Sequence, residues 1–211
     1  MMKILNKYFD KVYVITMENS FRIPRMEERL EGVDYEFFYG VDGATLDKTP
    51  YMSKGSKQTR GQLGCTISHL NLYKKIVSEN NEKVLILEDD CLFNGRLTNL
   101  GEYMSQLPID WGLFYLGWDN KQHIKPNYGD NLYEITKNNI LSIEGTQSFA
   151  IKPFFAKLLL EQNSNFKYTA DGNITAIVRD SDSKTYVATP KMGQQDGLGS
   201  ITCDIDRKYG F

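Results

Sequence analysis

Apolar residues fall into short unbroken runs along this chain, separated by polar, glycine- or proline-bearing stretches. The clearest run, Val84-Leu85-Ile86-Leu87, ends in three consecutive carboxylates, Glu88-Asp89-Asp90. A short continuous run rich in branched side chains predicts a strand covered on both faces, as in a parallel sheet. Val12-Tyr13-Val14-Ile15-Thr16 predicts a first buried strand. Pro24 to Leu30 predicts a helix, with proline suited to its first turn and Gly32 to its end. Tyr35 to Tyr39 predicts a second strand, and Gly40-Val41-Asp42-Gly43 turns at its carboxyl end. Strand, helix and strand in this order make a βαβ unit, for which a right-handed parallel crossover is expected.

Thr59-Arg60-Gly61-Gln62 has the form of a capping box. From Leu63 the apolar residues recur at Ile67, Leu70, Tyr73 and Val77, which predicts an amphipathic helix running to Asn80-Asn81 and feeding the Val84 strand. Beyond the acids, a helix is expected from Leu97 to Leu107, stopped by Pro108, then a buried strand Gly112 to Leu116 and an irregular loop Lys121 to Asp130. Leu132–Ile135 and Ile140–Ile143 flank Lys137-Asn138-Asn139 and predict a hairpin. Ser148–Ile151 reads as a last core strand, Pro153 opens a helix to Gln162, and a helix around Gly172–Val178 precedes a strand Thr185–Ala188. A glycine-bearing tail, Gly193 to Ser200, follows. No repeat, low-complexity tract or linker interrupts this order. The expectation is one α/β domain over residues 1–211, a Rossmann-like, mostly parallel sheet flanked by helices.

Composition narrows the classes. Two hundred and eleven residues suit one domain with a sizeable core. With 25 basic and 27 acidic side chains, nothing marks a bulk nucleic-acid binder. Cys65, Cys91 and Cys203 are odd in number and lack paired or CxxC spacing, which argues against a disulfide framework and a zinc site and suits a reducing compartment. No apolar run approaches the roughly 18–20 residues of a membrane span. The first residues are too polar for a signal peptide. A soluble, cytoplasmic protein is expected.

The acidic triplet carries the strongest chemistry. In open α/β sheets ligands collect outside the carboxyl ends of the strands. Three adjacent carboxylates raise one another's pKa unless a cation offsets them. Mg²⁺ and Mn²⁺ take such oxygens together with substrate phosphates. A metal–phosphate site is therefore expected, against the plainer reading of a solvated acidic turn. In extended geometry Glu88 and Asp90 point one way and Asp89 the other. Asp90 is expected to bind metal directly, Glu88 through water or to a ribose hydroxyl, and Asp89 to take nearby backbone. His69 shares a helix side with Cys65, Leu72 and Ile76, as a structural histidine or one that orients the triplet or meets a ligand. Ser68 and His69 are adjacent on that helix and do not face each other, which excludes serine-hydrolase chemistry. Arg22 and Arg25 follow the first strand, where guanidinium groups can grip a base or phosphate. Asp47 to Gly61 carries Lys48, Lys54, Lys57 and Arg60, either as a solvated loop or as a flap whose cations meet a diphosphate. Trp118-Asp119 lies just past a strand end, with Trp118 as core packing or a platform for a sugar ring.

Several of these pieces, in order, resemble glycosyltransferase family 25, the group containing bacterial lipooligosaccharide β-galactosyltransferases and collagen galactosyltransferases. They are Val14-Ile15 with Arg22 and Arg25, Phe37-Phe38-Tyr39-Gly40-Val41-Asp42-Gly43, Gly61-Gln62-Leu63-Gly64-Cys65-Thr66-Ile67-Ser68-His69, and Leu85-Ile86-Leu87-Glu88-Asp89-Asp90. Tyr115-Leu116-Gly117, Gly145-Thr146 before Ser148–Ile151, Asp171, Pro190, Gln195 and Ser200 extend the match over nearly the whole chain. The helix Gly-x-x-Gly-Cys-x-x-Ser-His followed by Leu-Glu-Asp-Asp is its most specific part.

The resemblance implies a GT-A-type fold, a nucleotide-sugar donor such as UDP-galactose, Mn²⁺ or Mg²⁺, and inversion at the anomeric carbon, with the triplet as a version of the DxD motif. Residues 1–110 become the nucleotide-sugar half and 111–211 the acceptor half. Thr16, Met17, Arg22, Arg25, Asp42, Gly43, Ser68, His69, Glu88 and Asp89 fall to the donor, and Glu88, Asp90 and Gln195 to the metal. The acceptor hydroxyl, on a glycan, lipid-linked sugar or protein, needs a general base. Asp171 is the expected base and Asp119 the reserve. The family usually has Asn-Leu after its first strand where this chain has Thr16-Met17, and the region after Asp171 is compact. Two other readings fit the same pattern: a non-catalytic nucleotide-sugar-binding or scaffold protein, and a sugar nucleotidyltransferase. Thr16 to Ser20 offers no glycine for the phosphate loop of the latter.

Overall fold

The computed structural model describes residues 2–52, 55–79, 81–120, 131–138 and 143–198. A 3-10 turn, Met2–Ile4, and α1 (Leu5–Tyr8) lead into β1 (Lys11–Thr16), α2 (Ile23–Arg29) and β2 (Glu36–Tyr39). β1 and β2 are parallel with Thr16 beside Tyr39, so the expected βαβ unit is present. Gly32 adopts φ +77°, a left-handed conformation that glycine takes without a Cβ penalty, just past α2. A 3-10 turn, Gly43–Thr45, and the one-turn α3 (Thr49–Met52) precede α4 (Arg60–Ser78). The capping box is formed: Gln62 N donates to Thr59 Oγ1 at 3.2 Å and Thr59 N to Gln62 Oε1 at 3.0 Å. Then follow β3 (Val84–Glu88), β4 (Cys91–Phe93), a 3-10 turn Gly95–Asn99, α5 (Leu100–Gln106), β5 (Leu113–Asn120), β6 (Leu132–Ile135) and β7 (Ile143–Ile151). α6 (Pro153–Gln162), α7 (Ala170–Asp180), β8 (Thr185–Ala188) and β9 (Gly193–Gln195) complete the described chain.

The strands form one sheet in the order β2-β1-β3-β7-β5-β8-β6, with β4 and β9 paired off this path. β1, β2, β3, β5 and β8 share one direction, and β7 and β6 run against them. Each face of this largely parallel sheet carries its own core. Leu5, Phe9, Met26, Leu30, Leu100 and Tyr103 close on Val12, Val14, Leu85 and Leu87 from one side. Leu70, Tyr73 and Ile76 of α4, with Phe155, Leu159, Ile174 and Ile177, close on Tyr13, Ile86 and Phe149 from the other. The alternation explains the unbroken apolar runs: with helices on both faces, each successive side chain enters one core or the other. No described helix is long and apolar enough to cross a membrane.

Among the described residues β6 and β7 do not pair with each other. β6 lies at the sheet edge, antiparallel to β8, while β7 is a nine-residue strand inserted between β3 and β5. Local alternation predicts that a segment is extended but carries no information about its partner. Phe149, Ala150 and Ile151 are fully buried and satisfy their ladder only between two interior strands. The glycine-bearing tail also differs, because Gly193–Gln195 becomes β9, pairing with β4 and touching β5 at Gly117. A Cβ at Gly117 would lie 2.7 Å from the Gly193 backbone, so this seam needs a residue without one. The loop Lys121 to Asp130, Ile140 to Ser142 of the expected hairpin, and Ser200 lie outside the described residues.

Candidate active site

β1, β3 and β5 end, and the antiparallel β7 begins, at one edge of the sheet. Because α4 and α7 each return the chain to the opposite edge before the next strand, their N-termini also stand here. The acidic triplet, His69, Asp119, Gly145–Gln147 and Asp171 are thereby brought to one region.

Three consecutive residues at the start of β7 each hold one carboxylate. Gly145 N donates to Asp171 Oδ2 at 3.4 Å, Thr146 Oγ1 to Glu88 Oε1 at 2.6 Å, and Gln147 Nε2 to Asp119 Oδ2 at 3.4 Å. Gly145 has φ +86°, where an L side chain is strained, and a Cβ there would strike the Gln147 amide. The sequence marked Gly145-Thr146 only as part of a pattern and did not mark Gln147.

Glu88 is gripped a second time. His69 Nε2 stands 3.0 Å from the same Oε1, and among the described residues no hydrogen bond uses Oε2. The imidazole is 1% exposed, stacks on Phe149 with centroids 6.0 Å apart, and places Nδ1 3.5 Å from the Tyr73 hydroxyl. Of the readings open for His69, this contact fits the one in which it orients the triplet.

Asp89 departs from expectation. Its backbone N donates to Ile15 O, but its carboxylate accepts from two hydroxyls, Thr16 Oγ1 at 2.6 Å and Ser20 Oγ at 2.8 Å. Extended geometry stops at Glu88, so strand alternation no longer sets the direction of the next side chain. Thr16 and Asp89 together tie the exits of β1 and β3, and Met17 beside them is half-buried.

Asp90 is the triplet's unsatisfied member. Its Oδ1 is buried without a hydrogen-bond partner among the described residues. Burial pushes its carboxyl up to about 7, Glu88 adds to this, Arg22 opposes it, and Asp89 and Asp196 contribute further repulsion. A buried, partnerless, charge-repelled oxygen fits a divalent cation, which would supply the missing contact and charge.

Arg22 is not a free guanidinium at the cleft. It is 2% exposed, 3.7 Å from Asp89 Oδ1 and 3.8 Å from Asp196 Oδ2. Asp196, which sequence reasoning missed, also meets Arg29 Nη2 at 3.4 Å, and its backbone N donates to Asp90 O at 2.8 Å. Arg25 remains exposed, 5.8 Å over the Phe21 ring. Gln195 is exposed and pairs in register with Cys91, next to Asp90 in sequence.

The remaining candidates divide into clamps and cleft groups. Ser68 is buried, donating to Gly64 O at 2.7 Å and accepting from Val41 N at 2.8 Å, so it fastens α4 to the turn after β2. Asp42 caps the following turn through Ala44 N at 2.8 Å, and Gly43 is buried against Arg60 and Gly61. Trp118 donates from its indole to Ala188 O at 2.9 Å and packs on the core while half-buried. Asp119 Oδ1 is 2.8 Å from Lys191 Nζ. Asp171 Oδ1 accepts from Thr169 Oγ1 at 2.6 Å and Gly172 N at 2.8 Å, and among the described residues Oδ2 has the longer Gly145 contact alone. In the Asp47–Gly61 stretch, Gln58 is buried and binds the Phe166 and Tyr168 carbonyls and the Thr66 hydroxyl, which moors that end to the segment before α7.

Sequence spacing gave no sign of a soft-metal ligand set, yet one group of side chains could hold an ion. Cys65 Sγ, His69 and Glu88 place one ligand atom each within 4.8 Å of one another. Cys65 and His69 are an i, i+4 pair in the sequence, but the third residue comes from a distant strand.

A family model described as glycosyltransferase family 25 (LPS biosynthesis protein) matches residues 9–174. Procollagen galactosyltransferase 2 of Homo sapiens is 28% identical over 182 residues, covering 72% of this chain and 29% of that protein. Procollagen galactosyltransferase 1-A of Xenopus laevis is 31% identical over 138 residues, covering 56% and 23%. The inactive glycosyltransferase 25 family member 3 of Homo sapiens is 30% identical over 134 residues, covering 52% and 22%. The chain thus spans less than a third of the length of these relatives. Among solved structures, a glycosyltransferase involved in glycosylation of the major capsid of PBCV-1 aligns with TM-score 0.46 and 8% identity, covering 95% of this chain and 100% of the other.

Proposed function

The chain belongs to glycosyltransferase family 25, and on that premise we propose that it transfers a hexose, galactose or glucose, from a UDP-sugar to a hydroxyl acceptor. Mn²⁺ or Mg²⁺ bound at Asp90 and Glu88, and inversion at the anomeric carbon on a GT-A-type fold, belong to the same reading. Membership does not by itself carry catalysis, since one relative is named as inactive. The observation that supports turnover is the set of carboxylates held by Gly145, Thr146 and Gln147 at the ligand edge of the sheet.

A divalent ion at this position supplies Lewis-acid stabilisation of the departing diphosphate. Asp90 offers the orphaned Oδ1, and Glu88 is fixed through Oε1 by Thr146 and His69. Asp171 takes the acceptor proton on Oδ2 as the acceptor oxygen bonds to the anomeric carbon and the nucleoside diphosphate leaves from the opposite face. Its Oδ1 is held by Thr169 and Gly172, which orients the carboxylate. Asp119 is the weaker candidate because Lys191 already pairs with it. Exposed Arg25 remains available to the donor, whereas Arg22 acts through Asp89 and Asp196. The acceptor is a glycan, a lipid-linked sugar or a protein.

The test is a thermal-shift screen of UDP-galactose, UDP-glucose, UDP-N-acetylglucosamine and GDP-mannose, each with and without Mn²⁺. A ligand at a hundred times its Kd stabilises by about 2.7 kcal/mol. A metal-dependent shift with one UDP-sugar, lost in Asp90→Ala, is expected. Asp171→Asn should keep that shift and abolish transfer. A near-normal rate in Asp171→Asn overturns the base assignment, and no shift with any donor overturns the donor reading.

A further inference from the structure

We infer that Cys65, His69 and Glu88 form a second metal site, suited to a zinc-type ion and distinct from the hard-ion position at Asp90. Cys65 and His69 stand four residues apart on α4 and so share one helix face, against which β3 delivers Glu88. One sulfur, one imidazole nitrogen and one carboxylate oxygen lie within 4.8 Å of one another. Tetrahedral zinc, with bonds of about 2.0–2.3 Å, separates its ligand atoms by roughly 3.5 Å, so small side-chain rotations close the set. His69 Nε2 and Glu88 Oε1 are already 3.0 Å apart.

The donor set decides the ion. Thiolate and imidazole favour zinc and its neighbours, while Mg²⁺ and Mn²⁺ prefer an all-oxygen shell. The surroundings are those of a supported site. The Tyr73 hydroxyl faces His69 Nδ1, and Thr146 donates to Glu88, so two of the three ligands have partners that fix their orientation. As the sulfur–metal bond forms, the Cys65 thiol proton leaves to solvent. The imidazole presents its Nε2 lone pair, with its one N–H on Nδ1 toward Tyr73, and no oxidation state changes. Three protein ligands leave a fourth position for water. Glu88 belongs to both sites, so the two ions compete; that competition rests on the hard-ion reading, whereas the zinc-type site does not.

Co²⁺ titrated into the metal-free full chain reports the site directly. One equivalent should give visible bands of a four-coordinate ion together with a thiolate-to-cobalt charge-transfer band in the near ultraviolet, both removed by stoichiometric Zn²⁺. Cys65→Ser should abolish the charge-transfer band and Asp90→Asn should keep it. Absence of the band in the wild type overturns the site, as does its survival in Cys65→Ser or its loss in Asp90→Asn. Should Cys65→Ser fail to fold, zinc-edge X-ray absorption of the wild type replaces it. One sulfur at about 2.3 Å is expected, and a shell of nitrogen and oxygen alone overturns the inference. Because cobalt binding is read without donor or turnover, its outcome is separable from failure of the glycosyltransferase reading.

Discussion

Thr146 Oγ1 lies 2.6 Å from Glu88 Oε1, so a threonine near the start of one strand fixes the carboxylate that ends its antiparallel neighbour. Two side chains 58 positions apart act as one unit. Removing the hydroxyl while keeping the shape isolates that contact. Thr146→Val should weaken metal-dependent donor binding by about 10–100-fold, the usual effect of losing a ligand's supporting hydrogen bond, and Thr146→Ser should restore it. Isothermal titration with Mn²⁺ and the UDP-sugar checks both variants.

Asp90 sets a pH dependence. Its carboxyl rises from an ordinary 3.8 to about 7 in the fold, so the folded state holds a proton that the unfolded state has released between those values. The metal-free fold therefore loses stability as pH climbs through this window, and the penalty is complete above about 7. Asp90→Asn should unfold at higher temperature than the wild type near neutral to alkaline pH in chelator, with the difference vanishing toward pH 4. Metal competes with the same proton, so apparent affinity should fall by about tenfold per unit below the raised value. Thermal unfolding with and without chelator, repeated across pH, reads both trends.

The two arginines after β1 should behave oppositely. Arg22→Ala leaves Asp89 and Asp196 buried without their shared cation, a change expected to cost about 3–5 kcal/mol. Arg25→Ala removes an exposed side chain and should stay within about 0.5 kcal/mol. Urea unfolding of the pair distinguishes them, and a raised donor KM in Arg25→Ala alone would place that guanidinium at the donor.

Gly64 is expected to tolerate no methyl group. A Cβ there would sit 2.8 Å from Val41 O and 2.9 Å from Gly43 N, where α4 lies directly on the turn after β2. Gly64→Ala should destabilise by about 1–3 kcal/mol despite alanine's better helix propensity, because backbone must move. Its helix also carries Cys65 and His69, so metal binding should fall in parallel. Chemical denaturation and the cobalt titration together test this.

Local signals were legible in the sequence, and long-range ones were not. The Thr59–Gln62 capping box, β1, β3 and the βαβ crossover depend on neighbours a few positions away, and each is where the pattern puts it. The partners of β6 and β7 depend on strands far along the chain, which a two-residue period cannot name. Asp89 illustrates the same limit at the site. Its hydroxyl partners Thr16 and Ser20 precede it by 73 and 69 positions, and backbone was the nearest local guess. Arg22 and Arg25 look alike in sequence. What separates them is Asp196, whose acid arrives through β9. Family resemblance marked Gly145-Thr146 and Cys65 as belonging to a pattern, and only the packed sheet gives them partners.

The contact between Asp196 and the acidic triplet bears on the order in which this protein is made. A chain emerging from the ribosome delivers Glu88, Asp89 and Asp90 about a hundred residues before the segment that brings β9, Asp196 and the second tie on Arg22. Until then the sheet can pair β1, β2 and β3 around three carboxylates that already have Thr16, Ser20 and Arg22, which precede them in the chain, but lack β9. The nascent molecule therefore passes through a stage in which these strands can pair while the strand beside Asp90 is still to come. Cations in the surrounding medium can meet those acids before β9 does.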